Sequence, residues 1–393
     1  MMNPALGRLH PYPFEKLAAL FADLTPPSDL PNIALSIGEP KHAAPEFVKQ
    51  ALIDSLQHLS TYPTTKGLLS LRQAIATWLT NRFGLQGVNP ETQVIPVSGT
   101  REALFSFVQA AIDRDLSPKV VMPNPFYQIY EGAAILAGAT PYLVNCTADN
   151  DYLGDWERIP NTVWAQTQLV FVCTPGNPTG AVMPADKLKR LIELSDEYGF
   201  AIASDECYSE LYFDQAPIGL LEVCAQMGRH DFKNCVVFHS LSKRSNLPGL
   251  RSGFVAGDAR LLGRYLQYRT YHGAALPVQH QLASQVAWQD ETHVEANRVL
   301  YRQKFDLFLS ELGDRLPFKK PDAGFYFWLP VDNDEHFARQ LYREANITVL
   351  AGRYLSRETQ DGNPGANHVR MALVADIAQC EQAIERIKRV IGK

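Results

Sequence analysis

Lys243 stands where an open α/β sheet would bind a ligand. The apolar run at residues 235–239 predicts a buried strand, and Ser240, Ser242 and Lys243 follow it at the edge where such sheets bind ligands, with Arg251 shortly after. A lysine amine can form an imine with a carbonyl compound, while hydroxyls and a guanidinium suit a phosphate. An aldehyde and a phosphate on one ligand indicate pyridoxal phosphate. A solvent-exposed loop lysine is the alternative, and so short a motif leaves it open.

A second phosphate-binding feature is predicted at Gly99, Thr100 and Arg101. A strand ends at Val97 and a helix begins, so these backbone amides would point toward a ligand above the helix end. Helix N-termini favour phosphate groups. The same pattern is also typical of a helix that is merely capped, and the motif alone leaves both interpretations open.

The next predicted strand is followed by an aromatic residue, Tyr127, at the same edge of the sheet. Its ring could lie flat against a heteroaromatic ligand, a contact that contributes about 0.5–1.5 kcal/mol beyond burial. Core packing is the alternative, and we favour it for the neighbouring Phe126 and Tyr130.

Residues 173–180 form a turn that two prolines and two glycines make rigid, and this turn presents Asn177. Such a rigid turn is suited to holding one amide against a ligand. A donor from Asn177 would keep the phenolic oxygen of pyridoxal phosphate ionised, and Tyr208 could reach the same oxygen.

Asp205 ends the predicted strand at residues 200–204, between two other buried strands. A buried carboxylate is costly without a cationic partner, because loss of hydration disfavours its charged form. A pyridinium nitrogen is such a partner, and keeping it protonated makes the ring an electron sink. A helix N-cap is the alternative role for Asp205, and Cys207 is assigned to packing.

Arg370 lies among apolar residues in a predicted strand at residues 369–373. A guanidinium in that setting needs an anion. The α-carboxylate of a substrate would bind it through two hydrogen bonds, and an internal salt bridge would satisfy it equally well.

Composition bounds the possible functions. The chain has 393 residues, of which 46% are hydrophobic and 20% charged, so it can bury a large core. Its net charge of -5 predicts neither nucleic-acid nor membrane-surface binding. The six cysteines lack C-x-x-C spacing, which favours free thiols over disulfides or a metal site. The amino terminus lacks the apolar core of a signal peptide, so we expect a cytoplasmic protein.

Short β-branched runs alternate with helical stretches through the middle of the chain, with strands predicted at residues 93–97, 119–122, 168–173, 200–204, 235–239 and 254–257. This alternation predicts an α/β fold with a mostly parallel, doubly wound sheet in a large domain at residues 45–285. Residues 286–393 predict a smaller α+β domain. Residues 1–44 predict an N-terminal arm and part of the small domain, and the proline-rich arm suits packing on a partner surface.

In chain order, these residues resemble the fold-type I pyridoxal-phosphate aminotransferases of classes I and II. The resemblance runs from residues 36–40 and 62–67 through the motifs above to Arg370, at the family's usual intervals. It implies that Lys243 binds the cofactor covalently and moves a proton between the substrate Cα and the cofactor C4′. It also implies that Asp205 pairs with the ring nitrogen and that Tyr127 covers the ring.

The resemblance also implies the remaining ligands. Asn177 and Tyr208 would bind the phenolic oxygen. The phosphate would be bound by Gly99, Thr100, Arg101, Ser240, Ser242, Arg251 and, from the other subunit of a homodimer with shared sites, Tyr62. Amino-acid and 2-oxo-acid substrates would place their α-carboxylate on Arg370, with help from the Gly38 backbone and the Asn177 side chain.

Within this family, residues 2–14, 36–42 and 350–370 most resemble the bacterial N-succinyldiaminopimelate aminotransferases. That resemblance implies N-succinyl-LL-2,6-diaminopimelate and 2-oxoglutarate as substrates, with glutamate as amino donor, in lysine and diaminopimelate biosynthesis. Such a substrate has a second carboxylate. The candidates for binding it are Lys41, which we place first, and Arg8, Arg269 and His272.

Other functions share the same cofactor chemistry. An aminotransferase for aspartate, aromatic amino acids or acetylornithine, or a carbon–sulfur β-lyase, would differ only in its pocket. A regulatory protein that binds pyridoxal phosphate is a remote alternative, because no helix-turn-helix pattern and no basic segment precede Ser36.

Overall fold

The computed structural model describes residues 2–392 as alternating strands and helices. The strands are β1 (Ile33–Ala34), β2 (Val94–Val97), β3 (Lys119–Asn124), β4 (Thr140–Asn145), β5 (Thr167–Cys173), β6 (Ala201–Asp205), β7 (Cys235–Ser240), β8 (Gly253–Gly257), β9 (Tyr326–Pro330), β10 (Ile347–Thr348), β11 (Leu350–Ala351) and β12 (His368–Ala372). The helices are α1 (Pro13–Phe21), α2 (Glu46–Ile53), α3 (Leu69–Phe83), α4 (Thr100–Ala111), α5 (Gln128–Ala137), α6 (Asn161–Trp164), α7 (Ala185–Tyr198), α8 (Leu220–Gln226), α9 (Leu241–Arg244), α10 (Ala259–His272), α11 (Val278–Gln289), α12 (Thr292–Leu312), α13 (Asp334–Ala345) and α14 (Ile377–Ile391).

A seven-stranded sheet with the order β2-β8-β7-β6-β5-β3-β4 forms the centre of the large domain. Strand β8 runs antiparallel to both of its neighbours, and the other pairings in the sheet are parallel. The predicted mostly parallel sheet is therefore confirmed. Strand β4 was missed, because a proline near its start and its half-buried edge position obscure the strand pattern.

Helices cover both faces of this sheet, as a doubly wound fold requires. One face packs against residues of α4 and α10 such as Phe107 and Tyr265. The other packs against residues of α3, α7 and α11 such as Leu79, Leu191 and Trp288. Because both faces are buried, the carboxyl ends of the strands are where polar side chains can meet a ligand.

The small domain combines the end of the chain with part of its beginning. Strands β9, β12 and β11 form an antiparallel sheet, and β1 pairs in parallel with β10. Helices α12, α13 and α14 pack against these strands around Phe305, Leu341 and Ile384. The predicted boundary at residue 286 falls within α11, which packs on α2 and α3.

The N-terminal segment packs on its own chain, and a further contact with a partner surface stays a prediction. It contains helix α1, which begins at Pro13, where a proline is well tolerated. Leu17 of this helix packs with Trp328, Leu350 and Leu355 of the small domain of its own chain. None of the helices in residues 2–392 combines the length and apolar character that crossing a membrane requires.

Candidate active site

A cavity of about 460 Å³ opens at the carboxyl ends of the central strands, between the two domains. Most of the residues selected from the sequence line it, namely Gly38, Thr100, Arg101, Tyr127, Asn177, Asp205, Tyr208, Ser240, Ser242, Lys243, Arg251 and Arg370. Gly99 lies at the same place, as the residue that precedes α4. Tyr62 is 98% exposed and does not line this cavity, so its role in a partner's site stays a prediction.

Lys243 follows β7 on the single turn of α9, and its amine lies in the cavity. The Nζ atom donates a hydrogen bond to the carbonyl oxygen of Gly38. Burial lowers the pKa of Lys243 to about 8, and the positive charges of Arg370 and Arg251 act in the same direction. The neutral fraction of the amine near neutral pH is therefore much larger than for an ordinary lysine, as a nucleophile or base requires.

Donor groups surround the space beside Arg251. The Ser240 hydroxyl caps α9 by accepting from the Ser242 amide at 3.1 Å, and the two hydroxyls are 2.9 Å apart. Gly99 has a φ of 84°, and a Cβ there would lie 2.1 Å from Nη2 of Arg251. A glycine is thus required for the α4 N-terminus and the guanidinium to approach one another. The result is a cradle that suits a phosphate.

Asp205 is only 6% exposed at the end of β6. Its Oδ2 accepts a 2.6 Å hydrogen bond from Tyr130, and its Oδ1 accepts from the Cys207 amide at 3.3 Å. Among residues 2–392, no lysine or arginine forms an ion pair with it. Burial raises the pKa of Asp205, which is the environment that a cationic ring nitrogen would relieve.

Arg370 is 4% exposed in β12 and has no carboxylate partner in the described part of the chain, which disfavours the internal salt bridge. Its Nη1 donates to Oδ1 of Asn177 at 2.9 Å, and its Nη2 donates to the carbonyl of Ser36 at 2.8 Å. Because Oδ1 of Asn177 is occupied, the Nδ2 amide of Asn177 is left to face a ligand. The Nε of Arg370 is buried and has no partner among residues 2–392.

Two tyrosines of the predicted site have distinct surroundings. Tyr127 lines the cavity with its ring edge-on to Tyr130, at 5.8 Å between centroids. The Tyr208 hydroxyl lies 2.8 Å from that of Tyr326. Burial raises the pKa of Tyr208 well above its ordinary value, so its hydroxyl stays protonated and can donate.

Several lining residues were not selected from the sequence, among them Tyr12, Phe14, Ile37, Leu350 and Tyr326. The ring of Tyr326 lies 4.5 Å beneath the Arg370 guanidinium, because β9 pairs with β12. The alternation of β9 could have indicated this residue once the pairing was known.

The assignment of Cys207 to packing was incomplete, since its thiol lines the cavity 3.2 Å from Oγ1 of Thr100. Burial raises the pKa of that thiol well above its ordinary value, so it stays protonated.

The candidates for a second carboxylate do not line the cavity. Lys41 and Arg8 are exposed elsewhere, and His272 lies beside Glu102. Arg269 is wrong as a candidate, because its side chain is fully buried and its Nη1 donates to Glu102 at 2.7 Å. A different cation is present instead. Arg101 lines the cavity at an exposed position, and its guanidinium donates to the hydroxyl of Tyr12, another lining residue, at 2.7 Å.

These environments fit pyridoxal phosphate. The Gly99 cradle suits its phosphate, Asp205 lacks the cation that its ring nitrogen would supply, and Lys243 is an amine with a lowered pKa within the same cavity. Fold and site together define a fold-type I transferase that depends on pyridoxal phosphate.

The chain belongs to the family described as aminotransferase class I and II, whose model matches residues 31–387. It is 30% identical to LL-diaminopimelate aminotransferase of Desulforudis audaxviator, over 99% of this chain and 97% of that protein. It is 31% identical to 4-dedimethylamino-4-oxo-anhydrotetracycline transaminase OxyQ of Streptomyces rimosus, over 95% and 96%. The crystal structure of an aminotransferase from Neisseria meningitidis is similar with a TM-score of 0.95 and 49% identity, over 99% of this chain and 100% of that one.

Proposed function

We propose that the enzyme transfers an amino group between N-succinyl-LL-2,6-diaminopimelate and 2-oxoglutarate, with glutamate as amino donor in the biosynthetic direction. The charge of the cavity carries this proposal. The cationic side chains of Arg101, Lys243, Arg251 and Arg370 line it, against the single carboxylate of Asp205. Such a lining favours a substrate with several negative charges. Beyond Asp205, the lining has no carboxylate that could pair with a free distal ammonium group. Succinylation removes the positive charge of that group.

The residues around the reacting carbon have separate roles in the reaction. Pyridoxal phosphate, when bound, supplies an electron sink for the electron pair left at the substrate Cα. The Lys243 amine would hold the aldehyde with loss of water. Once the amino group of the substrate has displaced it, the freed amine would take the proton from the substrate Cα and deliver it to C4′. Its pKa of about 8 suits a base that works near neutral pH. Asp205 holds a proton on the ring nitrogen.

The other cavity residues orient the cofactor and the substrate. Tyr127 covers the ring, and the Asn177 amide and the Tyr208 hydroxyl donate to the phenolic oxygen. The phosphate is bound by Gly99, Thr100, Arg101 (through its amide), Ser240, Ser242, Arg251 and the partner's Tyr62. Each of these contacts restricts the motion of the reacting atoms, which lowers the barrier by pre-orientation.

Two guanidinium groups each bind one carboxylate of the substrate. Arg370 binds the α-carboxylate, since its buried Nε lacks a partner among residues 2–392, with help from Asn177 and from the Gly38 backbone. Arg101 binds the distal carboxylate in place of Lys41, because its guanidinium lines the mouth of the cavity and is held by a hydroxyl rather than by a carboxylate.

A second candidate substrate is LL-2,6-diaminopimelate itself, in view of the similarity to LL-diaminopimelate aminotransferase. Both compounds have the same carbon skeleton and the same reacting centre. They differ in whether the distal amine is charged, and the lining described above favours the acylated form.

A half-reaction screen tests the substrate. Enzyme loaded with pyridoxal phosphate is mixed with single amino donors, and the change in cofactor absorbance is followed. Succinylated diaminopimelate should react at least about tenfold faster than unacylated diaminopimelate, aspartate, an aromatic amino acid or acetylornithine, a difference of about 1.4 kcal/mol in the transition state. If the unacylated compound reacts faster, the second candidate is correct. If an aromatic donor reacts faster, both are wrong.

The same enzyme preparation separates transferase from lyase. Cystathionine should release no pyruvate at a rate comparable to glutamate-linked transamination. Rapid pyruvate release without amino transfer would instead identify a carbon–sulfur β-lyase.

A further inference from the structure

A chain of buried and partly buried hydrogen bonds lies beside Lys243, formed by residues that do not line the cavity. Asn297, in α12, donates from Nδ2 to the carbonyl oxygens of Lys243 at 3.2 Å and Arg244 at 3.3 Å. Its Oδ1 accepts from Nδ2 of Asn246 at 2.9 Å and lies 2.8 Å from Nδ1 of His42. The amide orientation of Asn297 is therefore determined, because acceptors face its nitrogen and donors face its oxygen.

Asn297 and Lys304 determine which nitrogen of His42 carries the proton. The Nζ of Lys304 lies 2.6 Å from Nε2 of His42 and donates to the carbonyl of Leu373 at 3.2 Å. Because the Oδ1 atom of Asn297 faces Nδ1 of His42, Nδ1 is the protonated nitrogen and Nε2 accepts from the Lys304 amine. Burial lowers the pKa of His42, and the charge of Lys304 adds to this effect, so the ring stays neutral at neutral pH. Its Nδ1–H then donates to Asn297.

The segment from Ser36 to His42 touches Lys243 from two directions. The carbonyl of Gly38 accepts from the Lys243 amine, and the His42 ring reaches the Lys243 main chain through Asn297. The carbonyl of Ser36 accepts from Arg370. One short segment thus connects the carboxylate-binding arginine to the lysine.

Helix α9, which carries Lys243, spans only Leu241–Arg244. A single helical turn has few hydrogen bonds of its own, so its backbone depends on external contacts. The amine at the end of a flexible lysine side chain returns to one place only if the main chain stays fixed.

We infer that Asn297 and His42 are positioning residues, which hold the main chain of Lys243 so that its amine keeps one placement in the cavity. Lys304 maintains the tautomer of His42 that this arrangement needs. The inference rests on the proposed role of Lys243 as the cofactor lysine.

Asn297→Asp tests the contact directly, because it preserves size while replacing two donated hydrogen bonds by repulsion from two carbonyl oxygens. We expect kcat to fall roughly ten- to a hundredfold with KM changed less than about twofold. The pH midpoint of the visible absorbance of the bound cofactor should shift by about half a unit or more.

A pair of substitutions at His42 provides a test without a new charge. His42→Ala removes the donor to Asn297, whereas His42→Asn retains an N–H close to the position of Nδ1. We expect His42→Ala to reproduce the loss in kcat and His42→Asn to restore most of it. Tyr301→Phe is the matched control, since the Tyr301 ring lies 4.7 Å from that of His42 and its hydroxyl has no partner among residues 2–392. It should leave kcat and the pH midpoint unchanged.

Melting temperatures distinguish a positioning role of these residues from a general effect on the stability of the fold. Variants of Asn297 and His42 that lose thermal stability but keep kcat and the pH midpoint would overturn the inference. If Asn297→Asp does not fold, the comparison of His42→Ala with His42→Asn decides between the two roles.

Borohydride reduction and peptide mapping distinguish a failure of this inference from a failure of the proposed function. A pyridoxyl group on Lys243 with unchanged kinetics contradicts this inference alone, whereas a pyridoxyl group on another lysine contradicts the proposed function.

Discussion

The hydroxyl of Tyr130 donates a 2.6 Å hydrogen bond to Oδ2 of Asp205, and both side chains are buried. Tyr130 is held on α5 by stacking against Phe171 of β5, with ring centroids 4.3 Å apart. This hydrogen bond favours the charged carboxylate, which burial alone disfavours. Tyr130 thus orients the group proposed to hold the ring nitrogen and favours its charged form.

Tyr130→Phe should fold normally and bind the cofactor, but turn over more slowly. Loss of one hydrogen bond to a charged group costs about 1.5–3 kcal/mol, or roughly ten- to a hundredfold in kcat if the whole cost falls on the transition state. Steady-state kinetics beside the wild type provide the measurement. An unchanged kcat would mean that Asp205 does not depend on this hydrogen bond.

Asp205→Asn should have opposite effects on activity and on the stability of protein stripped of cofactor. A neutral amide cannot hold the ring nitrogen protonated, so turnover should fall on the order of a hundredfold or more while the fold is retained. In stripped protein near neutral pH, the variant should be more stable by about 1 kcal/mol, because the buried charge is gone.

The pH dependence of stability supplies the control for Asp205→Asn. Because burial raises the folded-state pKa of Asp205 above 3.8, the carboxyl is protonated in both states at lower pH and costs nothing. As the pH rises through the folded-state pKa, the wild type loses stability that the variant keeps. Denaturant unfolding of both stripped proteins across this range measures the difference. A wild type that is the more stable of the two at neutral pH would show that another group compensates the Asp205 charge.

Gly99→Ala should weaken cofactor binding. The added Cβ would lie 2.1 Å from Nη2 of Arg251 at a φ of 84°, so the guanidinium must move out of the cradle. We expect cofactor affinity to fall by about 1–3 kcal/mol, measured by titration of stripped protein. Gly84→Ala is the matched control, since Gly84 also has a positive φ, of 61°, but open space around it. It should cost about 1 kcal/mol of stability without changing cofactor affinity. Equal affinities for both variants would contradict the cradle at Gly99.

Much of the site could be predicted because strand ends are local features of the sequence. Asp205 and Lys243 each follow an apolar run, and parallel strands bring such positions to one edge. Contacts between distant parts of the chain could not be predicted in the same way. Tyr326 reaches Arg370 only through the pairing of β9 with β12, and Arg101 meets Tyr12 only because α1 packs on the small domain. Arg269 was misjudged because nothing in its own segment indicates that it pairs with Glu102.

A homodimer with shared sites predicts recovery of activity in mixed dimers. Tyr62 is almost fully exposed in the single chain, as a residue that reaches into a partner's site would be. Subunits with Tyr62→Ala are mixed with subunits with Lys243→Ala under conditions that allow exchange. Each hybrid dimer should contain one intact site, so activity should rise above that of either parent. Exchange without any recovery would place the whole site within one chain.

Covalent capture of the cofactor tests whether Lys243 is the lysine that binds it. The holoenzyme is reduced with borohydride, digested, and mapped by mass spectrometry for the pyridoxyl group. Because Lys243 is the lysine whose amine lines the cavity and whose pKa is lowered to about 8, the modification should be on Lys243. A pyridoxyl group on any other lysine, or none on the protein, would contradict the account.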